Sequence, residues 1–346
     1  MSRQIHFAFL LGLATLAARS EAVAADESVT TLANRQIRYT VPESGYHTMQ
    51  RGGVTATIVD NGAVDDDTLT GHRAGYSGVA SLTHTNRAGN LFVPNYAGLN
   101  YEHIHDGTSQ DRDILFEPRR APMELRVVNK HTVELYQAPS PTWKLESVLR
   151  YEMLKDGTIE MTLECIPRAK TFRNGYIGLF WASYIHQPRD RYIYLQRPDA
   201  HAQLDRWIGL TREDHGSPDY DIRHMPGEEI SATDHLSRMH TSEPVDDRHR
   251  EAIENQVRSS LSFYYGLCAE DMVYLMMFAQ PDRVRLAYSP NGGGKSPEWS
   301  PAWDYVLHLD DAKLDHTYTW DVCLALFPYQ SRTAILDEVS RYQSST

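Results

Sequence analysis

Residues 90–107 hold an unusual concentration of side chains that could perform acid–base chemistry. If this stretch is extended, Tyr101, His103 and His105 point to one face of a strand, while Glu102 points to the other. Two histidines two positions apart could act as a general acid and a hydrogen-bond donor toward a sugar hydroxyl, or could ligate one metal ion. Packing histidines at a strand end are the alternative. We predict these four residues as catalytic candidates, with His103 and His105 as the ligands if a metal is bound.

A second cluster lies within residues 174–191. As a strand, this stretch places Tyr184 and His186 on one face, where they could form a catalytic phenol–imidazole pair. Arg189 and Arg191 follow the strand and could neutralise a uronate or sulfate group. An aromatic core strand with a charged turn after it is the alternative.

Residues 289–305 form a Gly- and Pro-rich loop that carries Trp299, Trp303 and Asp304. An exposed indole beside a carboxylate is suited to bind a sugar, with the ring face stacked on the sugar and the hydroxyls bonded to the carboxylate. We therefore predict these three residues as substrate-binding, with a core position for the tryptophans as the alternative.

The charge balance narrows the classes of partner. Lys and Arg number 34 against 46 Asp and Glu, so the formal net charge is −12. This excess of acid argues against a protein that binds nucleic acid or anionic lipid through its overall charge. Basic residues gather locally at Arg119 and Arg120 and at Arg189 and Arg191, so an anionic glycan held in one cleft is still compatible.

The first 24 residues have the pattern of a secretory signal peptide. Arg3 precedes an apolar run at residues 7–18, and Ala22-Val23-Ala24 provides a cleavage signal. The apolar run is shorter than the roughly 20 residues that a membrane-spanning helix needs. We expect a periplasmic or secreted bacterial protein, with no later segment of transmembrane length.

Alternation of apolar and polar residues dominates the rest of the chain. Residues 158–165, TIEMTLEC, alternate strictly after an Asp156-Gly157 turn, which is typical of a half-buried antiparallel strand in a hairpin. Further predicted strands span residues 54–59, 78–84, 125–128, 132–136, 145–154, 176–185, 192–196, 260–267, 272–279, 284–288, 303–309 and 319–327. Helical spacing is found at residues 331–342 and, more weakly, at 246–257. The pattern predicts an all-β fold, a large antiparallel two-sheet sandwich with a short C-terminal helix.

Residues 197–250 depart from this pattern, because apolar residues thin out and six histidines appear. We predict a long His-rich loop packed over a site within a single domain of residues 25–346, because the strands on both sides require a shared core. Cys165, Cys268 and Cys323 lie in apolar strand-like runs and are expected to be buried thiols.

An exported chain of many antiparallel strands, with paired histidines beside Tyr and Glu and with Trp- and Arg-rich loops, resembles the galactose-mutarotase-like β-supersandwich group. That group includes aldose epimerases and domains of polysaccharide lyases and glycoside hydrolases. The resemblance implies a carbohydrate partner and His/Tyr acid–base chemistry of the lyase or epimerase type, in a cleft on a concave sheet. In the lyase case Arg73 could serve with Tyr101 and His103.

No cofactor is required by this interpretation, although a divalent metal held by histidines is an alternative. A non-catalytic carbohydrate-binding or cell-surface protein and a glycoside hydrolase also stay open. The sequence does not set the oligomeric state.

Overall fold

Antiparallel strands make up most of the computed structural model, which describes residues 29–64, 66–196, 207–213, 219–225, 231–234, 244–290 and 300–345. The strands are β1 Tyr46–Arg51, β2 Val54–Val59, β3 Gly78–His84, β4 Asn100–His105, β5 Met123–Asn129, β6 Thr132–Gln137, β7 Leu145–Met153, β8 Ile159–Pro167, β9 Ile177–Ala182, β10 Ile193–Gln196, β11 Trp207–Thr211, β12 Asp221–His224, β13 Phe263–Leu267, β14 Met272–Phe278, β15 Val284–Leu286, β16 Tyr305–Leu309 and β17 Tyr318–Pro328. The helices are α1 Arg112–Leu115, α2 Glu117–Arg120, α3 Asp247–Ser259 and α4 Arg332–Gln343.

The strands form three sheets that enclose one large apolar core. A ten-stranded sheet has the order β12-β11-β10-β13-β14-β17-β8-β7-β6-β5, a four-stranded sheet the order β15-β16-β9-β4, and a three-stranded sheet the order β1-β2-β3. The core joins Leu163 and Tyr274 of the large sheet to Trp181 of the four-stranded sheet and Ala56 of the three-stranded sheet. The predicted all-β sandwich is thus confirmed, and its second layer is divided into two smaller sheets.

The hairpin between β7 and β8 shows how the local sequence sets the register. Asp156 Oδ1 accepts a hydrogen bond of 3.0 Å from the backbone amide of Thr158, and Gly157 adopts a φ of 93°, which favours glycine. The alternating residues of β8 then place Leu163 in the core and Glu164 on the opposite face. The predicted hairpin is confirmed in this part of the sheet.

Helix α4 covers part of the outer face of the large sheet. Ser331 caps it by accepting a hydrogen bond of 3.0 Å from the amide of Ala334, and Ile335, Val339 and Tyr342 are buried. These side chains join a second apolar cluster on that face. The predicted C-terminal helix is confirmed, and its apolar side seals a surface that water would otherwise reach.

The segment at residues 197–250 is more regular than predicted. Within its described parts, β11 and β12 extend the large sheet at one edge. The helix predicted at residues 246–257 is confirmed as α3, which begins at Asp247. Trp207 and Ile208 are buried in β11 and supply the apolar contacts that make a strand stable there. In this segment polar residues outnumber the short apolar runs of β11 and β12. The sequence therefore did not indicate these two strands.

Two further expectations concern cysteines and membranes. Cys165, Cys268 and Cys323 are free and buried, as predicted. Among the helices of the described ranges, none is long and apolar enough to cross a membrane.

Candidate functional site

A β-bulge in β4 changes which side chains share a face. Tyr101 pairs with Trp181 and His103 pairs with Phe180, so Glu102 is an extra residue between two successive pairs. Tyr101 stacks on Trp181 in the core, at a ring-centre distance of 5.2 Å. The prediction that Tyr101 shares a face with His103 is therefore wrong, because the bulge reverses the alternation. It brings Glu102 next to His103 instead.

The carboxylate of Glu102 is the centre of a buried polar cluster. Tyr184 donates a hydrogen bond of 2.8 Å to Glu102 Oε1, and Arg119 Nη1 donates another of 3.1 Å to the same oxygen. The second oxygen, Oε2, lies 3.5 Å from Nε2 of His103. Burial raises the pKa of Glu102, although Arg119 and the hydrogen bond from Tyr184 oppose the shift. Glu102 is thus a carboxyl group whose pKa lies closer to neutrality than usual.

Arg119 is held rigidly above this carboxylate. Its Nε donates a hydrogen bond of 2.9 Å to the carbonyl of Gly75, and its guanidinium lies 4.0 Å from the ring centre of Tyr76. The same helix is anchored by Glu117, which accepts hydrogen bonds from the amides of Thr142 and Trp143. Contacts from three directions fix Arg119, so it can orient Glu102 with little conformational freedom.

His103 is a neutral side chain in an aromatic environment. Its ring stacks on Phe180 at 4.7 Å and meets the edge of Phe116 at 4.1 Å. Burial lowers the pKa of His103 to about 3, with further lowering by His105, Arg119 and Arg112. Its Nε2 is shielded from solvent and has no hydrogen-bond partner within the described residues. This nitrogen therefore retains an unused hydrogen-bonding capacity beside Glu102.

Three tyrosines form one wall of the site. The rings of Tyr76 and Tyr96 lie 4.6 Å apart, and that of Tyr184 lies 5.0 Å from Tyr96. Arg73 joins them, because its Nη1 donates a hydrogen bond of 3.3 Å to the hydroxyl of Tyr96. Burial raises the pKa of Tyr184 well above its usual value, with a smaller contribution from Glu102, so its hydroxyl stays protonated. Half-buried tyrosine rings are suited to contact a sugar face.

A cleft lined by three arginines opens beside this wall. It has a volume of about 420 Å³ and is lined by Ala74, Gly75, Arg112, Phe116, Arg119 and Arg120. Arg120 is paired with Asp113 at 2.6 Å, whereas Arg112 is exposed and stacks on Phe116 at 4.8 Å. The cleft therefore offers at least one cation to an anionic group on a ligand.

A larger cavity of about 550 Å³ lies elsewhere, between residues 31–39 and the outer face of the large sheet. Its acid–base side chains are already engaged, since Tyr136 donates to Glu146 at 2.9 Å and Glu146 pairs with Arg168 at 2.6 Å. We place the candidate site at Glu102 rather than in this cavity, because a buried carboxylate, a phenol and an imidazole converge at Glu102.

The second predicted cluster, within residues 174–191, contributes Tyr184 to the candidate site but not His186, Arg189 or Arg191. Tyr184 belongs to it, but His186 lies beyond the end of β9, where burial and then Arg87 lower its pKa. Arg189 is paired with Asp271 and donates to Thr233, so its charge is already compensated. The backbone carbonyl of Arg191 accepts a hydrogen bond of 2.7 Å from Tyr288. Neither arginine joins Tyr184 in the structure.

The prediction that Trp303 is an exposed ring that stacks on a sugar is wrong. This side chain has no exposed surface and packs against Gly266 in the core, where a β-carbon would come within 2.1 Å of the indole. Asp304 is also buried and accepts a hydrogen bond of 2.8 Å from the amide of Ser183. Burial, and then the charge of Glu102, raises the pKa of Asp304 well above its usual value. Trp299 lies outside the described residues.

His105 lies on the same face as His103 and points over Gly178 in β9. The described residues contain no group of three or more His, Cys, Asp or Glu side chains that could hold a metal ion. The metal site at His103 and His105 stays a prediction that would need a third ligand from another source.

Sequence reasoning missed Tyr76, Tyr96, Phe116 and Arg112, and noted Arg119 only as part of a basic pair. The residues come from loops and short helices that converge only after folding. The one local signal was the density of Tyr and Gly between residues 71 and 101.

Comparison with known proteins gives similarity of structure without similarity of sequence. No protein-family model matches the chain, and no curated protein matches it. A galactose mutarotase-like protein from Lactobacillus casei is 11% identical, with a TM-score of 0.45, and the match covers 82% of this chain and 100% of that one. An α-N-acetylgalactosaminidase from Bifidobacterium bifidum is 12% identical, with a TM-score of 0.48, over 86% of this chain and 39% of that one.

A heparan sulfate lyase from Pedobacter heparinus is 10% identical, with a TM-score of 0.41, over 84% of this chain and 37% of that one. These are solved structures to which the chain is similar in architecture, each with a TM-score below 0.5. At these identities the similarity concerns the fold, and the residues of this chain alone decide what its site can do.

Proposed function

We propose that this protein is a carbohydrate-active enzyme that removes a proton from an acidic saccharide bound in the cleft beside Glu102. The observation that carries the proposal is the contact of one buried carboxylate with Tyr184, Arg119 and His103 at the edge of an arginine-lined cleft. A lyase-type reaction fits this arrangement better than hydrolysis, because hydrolysis would need a second carboxylate facing the substrate. Asp304, the nearby candidate, is bonded to the backbone and buried.

In the proposed reaction Glu102 is the group that transfers the proton. Tyr184 and Arg119 bind Oε1, so Oε2 is free to accept the proton next to the carboxylate group of a uronate. The electron pair of the broken C–H bond forms a C=C bond, and the bond to the leaving sugar oxygen breaks. Glu102 then returns its proton to that oxygen. An epimerisation would share the first step and return the proton to carbon.

The neighbouring side chains would support this proton transfer. Arg112 in the cleft, with Arg73 beside Tyr96, would neutralise the uronate carboxylate and make its adjacent proton more acidic. The neutral ring of His103 would hydrogen-bond a sugar hydroxyl through Nε2. Tyr76 and Tyr96 would contact the sugar face.

The test is a panel of polygalacturonate, alginate, hyaluronan and neutral polysaccharides, measured by the ultraviolet absorbance of unsaturated uronate and by reducing-end release. The proposal expects both signals on at least one acidic polymer, and their loss in Glu102→Gln. Reducing ends without the absorbance would indicate a hydrolase, and sugar binding without turnover would indicate a non-catalytic carbohydrate-binding protein. Either result would contradict the proposal.

Export to the periplasm or the cell exterior is a further part of the proposal, supported by the pattern of residues 1–24. The N-terminal sequence of the protein recovered from the producing cells would test it. We expect the mature chain to begin at Ala25, and an uncleaved chain in the cytoplasm would contradict export.

A further inference from the structure

Four polar side chains surround Gly178 on the outer face of the four-stranded sheet: His105, Tyr176, Arg285 and His308, here called the Gly178 cluster. His105 of β4 and His308 of β16 are both register partners of Gly178, one on each side of β9. A β-carbon at position 178 would lie 2.3 Å from the His105 ring. The glycine thus leaves the space into which that ring folds.

Tyr176 and Arg285 complete the cluster. The ring centre of Tyr176 lies 5.7 Å from that of His105 and 6.2 Å from that of His308. The guanidinium of Arg285 lies 5.6 Å from the centre of the Tyr176 ring, and its Nη1 is 3.5 Å from the Tyr176 hydroxyl. A cation, a phenol and two imidazoles thus face one region of the sheet.

Several nitrogen atoms of this cluster lack a hydrogen-bond partner. His308 is only 5% exposed, and both of its ring nitrogens, together with Nε of Arg285, are shielded from solvent without a hydrogen-bond partner in the described ranges. The nearest acid of His308, Asp310, is 4.0 Å away, and Arg285 forms no salt bridge with any described residue. Buried polar groups are almost always bonded, so donors gathered around one cation indicate an anionic ligand.

The cluster lies next to the site at Glu102. His105 follows His103 on the same face of β4, and residues two apart on a strand are separated by about 7 Å. Arg285 lies in the same row as His103 across the four strands, through Phe180 and Val306. Three strand spacings of about 4.8 Å separate Arg285 from His103, so a sugar unit further along a chain bound beside Glu102 would reach the cluster.

We infer that the Gly178 cluster is a second binding subsite, which takes the carboxylate or sulfate group of a sugar unit further along the same chain. The inference rests on the proposed function, and it makes the substrate an acidic oligosaccharide or polysaccharide rather than a single acidic sugar. Arg285 supplies the charge, while His308 and Tyr176 supply directional hydrogen bonds.

The experiment measures binding rather than turnover. Isothermal titration calorimetry uses Glu102→Gln protein with galacturonate and chondroitin sulfate fragments of two and four sugar units. In at least one series the four-unit fragment is expected to bind about 10-fold more tightly than the two-unit fragment, because a charge-assisted hydrogen bond is gained. A gain in the galacturonate series shows that the subsite takes a carboxylate, whereas a gain with the chondroitin sulfate fragments alone shows that it takes the sulfate.

Adding Arg285→Gln should abolish the gain and leave the affinity for the two-unit fragment within about twofold. Lys130→Gln removes the same charge from an exposed turn and should leave the gain intact. Equal affinity for both lengths, an unchanged gain in Arg285→Gln, or no binding of either series would overturn the inference. Arg285→Lys keeps the charge, and thermal unfolding of each variant separates loss of binding from loss of folding.

A third measurement separates this inference from the proposed function. Inorganic sulfate is titrated while the imidazole signals of His308 are followed by NMR, and His308→Gln assigns them. Shifts that saturate in the wild type and vanish in Arg285→Gln support the subsite even if no polymer is turned over. Absence of such shifts contradicts the subsite, even where Glu102→Gln abolishes turnover.

Discussion

The phenol of Tyr184 donates a hydrogen bond of 2.8 Å to the Glu102 carboxylate, across 82 positions of sequence. Tyr184 follows β9 and Glu102 forms the bulge of β4, so the contact depends on the pairing of these two strands. The same oxygen also accepts from Arg119. Two donors bind one oxygen of Glu102, whereas the other oxygen lies toward His103.

Replacing Glu102 by Gln should remove catalysis while preserving the fold. We expect turnover of the acidic polymer to fall at least about 100-fold, because general acid–base groups contribute that much or more. Burial raises the folded-state pKa of Glu102, so the wild type loses stability relative to the variant as pH rises through that pKa. Urea unfolding at acid and neutral pH measures this difference, and equal pH dependence in the two proteins would contradict it.

Replacing Tyr184 by Phe should move the acid limb of the pH–rate profile. The hydrogen bond from Tyr184 lowers the pKa of Glu102, so its loss should raise that pKa and shift the limb to higher pH. The measurement is kcat/KM against pH. Tyr136→Phe is the matched control. Tyr136 also donates to a glutamate, Glu146, but this pair lies in the large sheet, whereas Glu102 lies in the four-stranded sheet. A similar shift in the Tyr184→Phe and Tyr136→Phe proteins would contradict the assignment of the acid limb to Glu102.

Replacing Arg119 by Gln should destabilise the fold by about 3 kcal/mol, since it leaves the buried Glu102 carboxylate without its cation. The double variant with Glu102→Gln should recover much of that loss, because no buried charge is then left unpaired. Urea unfolding of the four proteins forms a double-mutant cycle. If the stability losses of the two single variants simply add in the double variant, Arg119 and Glu102 do not interact in solution.

His103 should stay uncharged at ordinary pH. Its folded-state pKa of about 3 lies below the unfolded value near 6.5, so the neutral ring contributes stability that is present above that value and is lost as pH falls toward 3. NMR titration of the imidazole measures the pKa directly. A midpoint near 6 would refute burial of the ring against Phe180 and Phe116. His103→Gln should unfold less steeply with acid than the wild type.

Trp303 should act as a core residue and not as a sugar platform. Trp303→Ala should cost about 3–5 kcal/mol of stability, because it empties a fully buried volume beside Gly266 and Tyr274. Trp303→Phe should cost less and leave polymer affinity unchanged. Calorimetric unfolding and binding assays check both. Reduced polymer affinity in a Trp303→Phe protein of normal stability would instead indicate that Trp303 contacts the sugar.

The sequence by itself determined the fold class and most of the elements. Alternation with a period of two predicted β8 and its hairpin, and helical spacing predicted α4, because each pattern reports which face of a local element is buried. Short strands with mixed polarity, such as β1 and β12, gave no such signal. The sequence also indicated Glu102, His103 and Tyr184 as polar side chains in a strand-rich chain.

Only the tertiary structure decided which of these residues act together. The bulge at Glu102 turned Tyr101 into the core and brought the carboxylate beside His103, and a single inserted residue of this kind reverses every face without altering composition. Arg119 reaches Glu102 through helix packing, and Trp303 is buried because Gly266 admits it. Local patterns report burial along one element, whereas a site needs contacts between elements, and those depend on strand pairing across the whole chain.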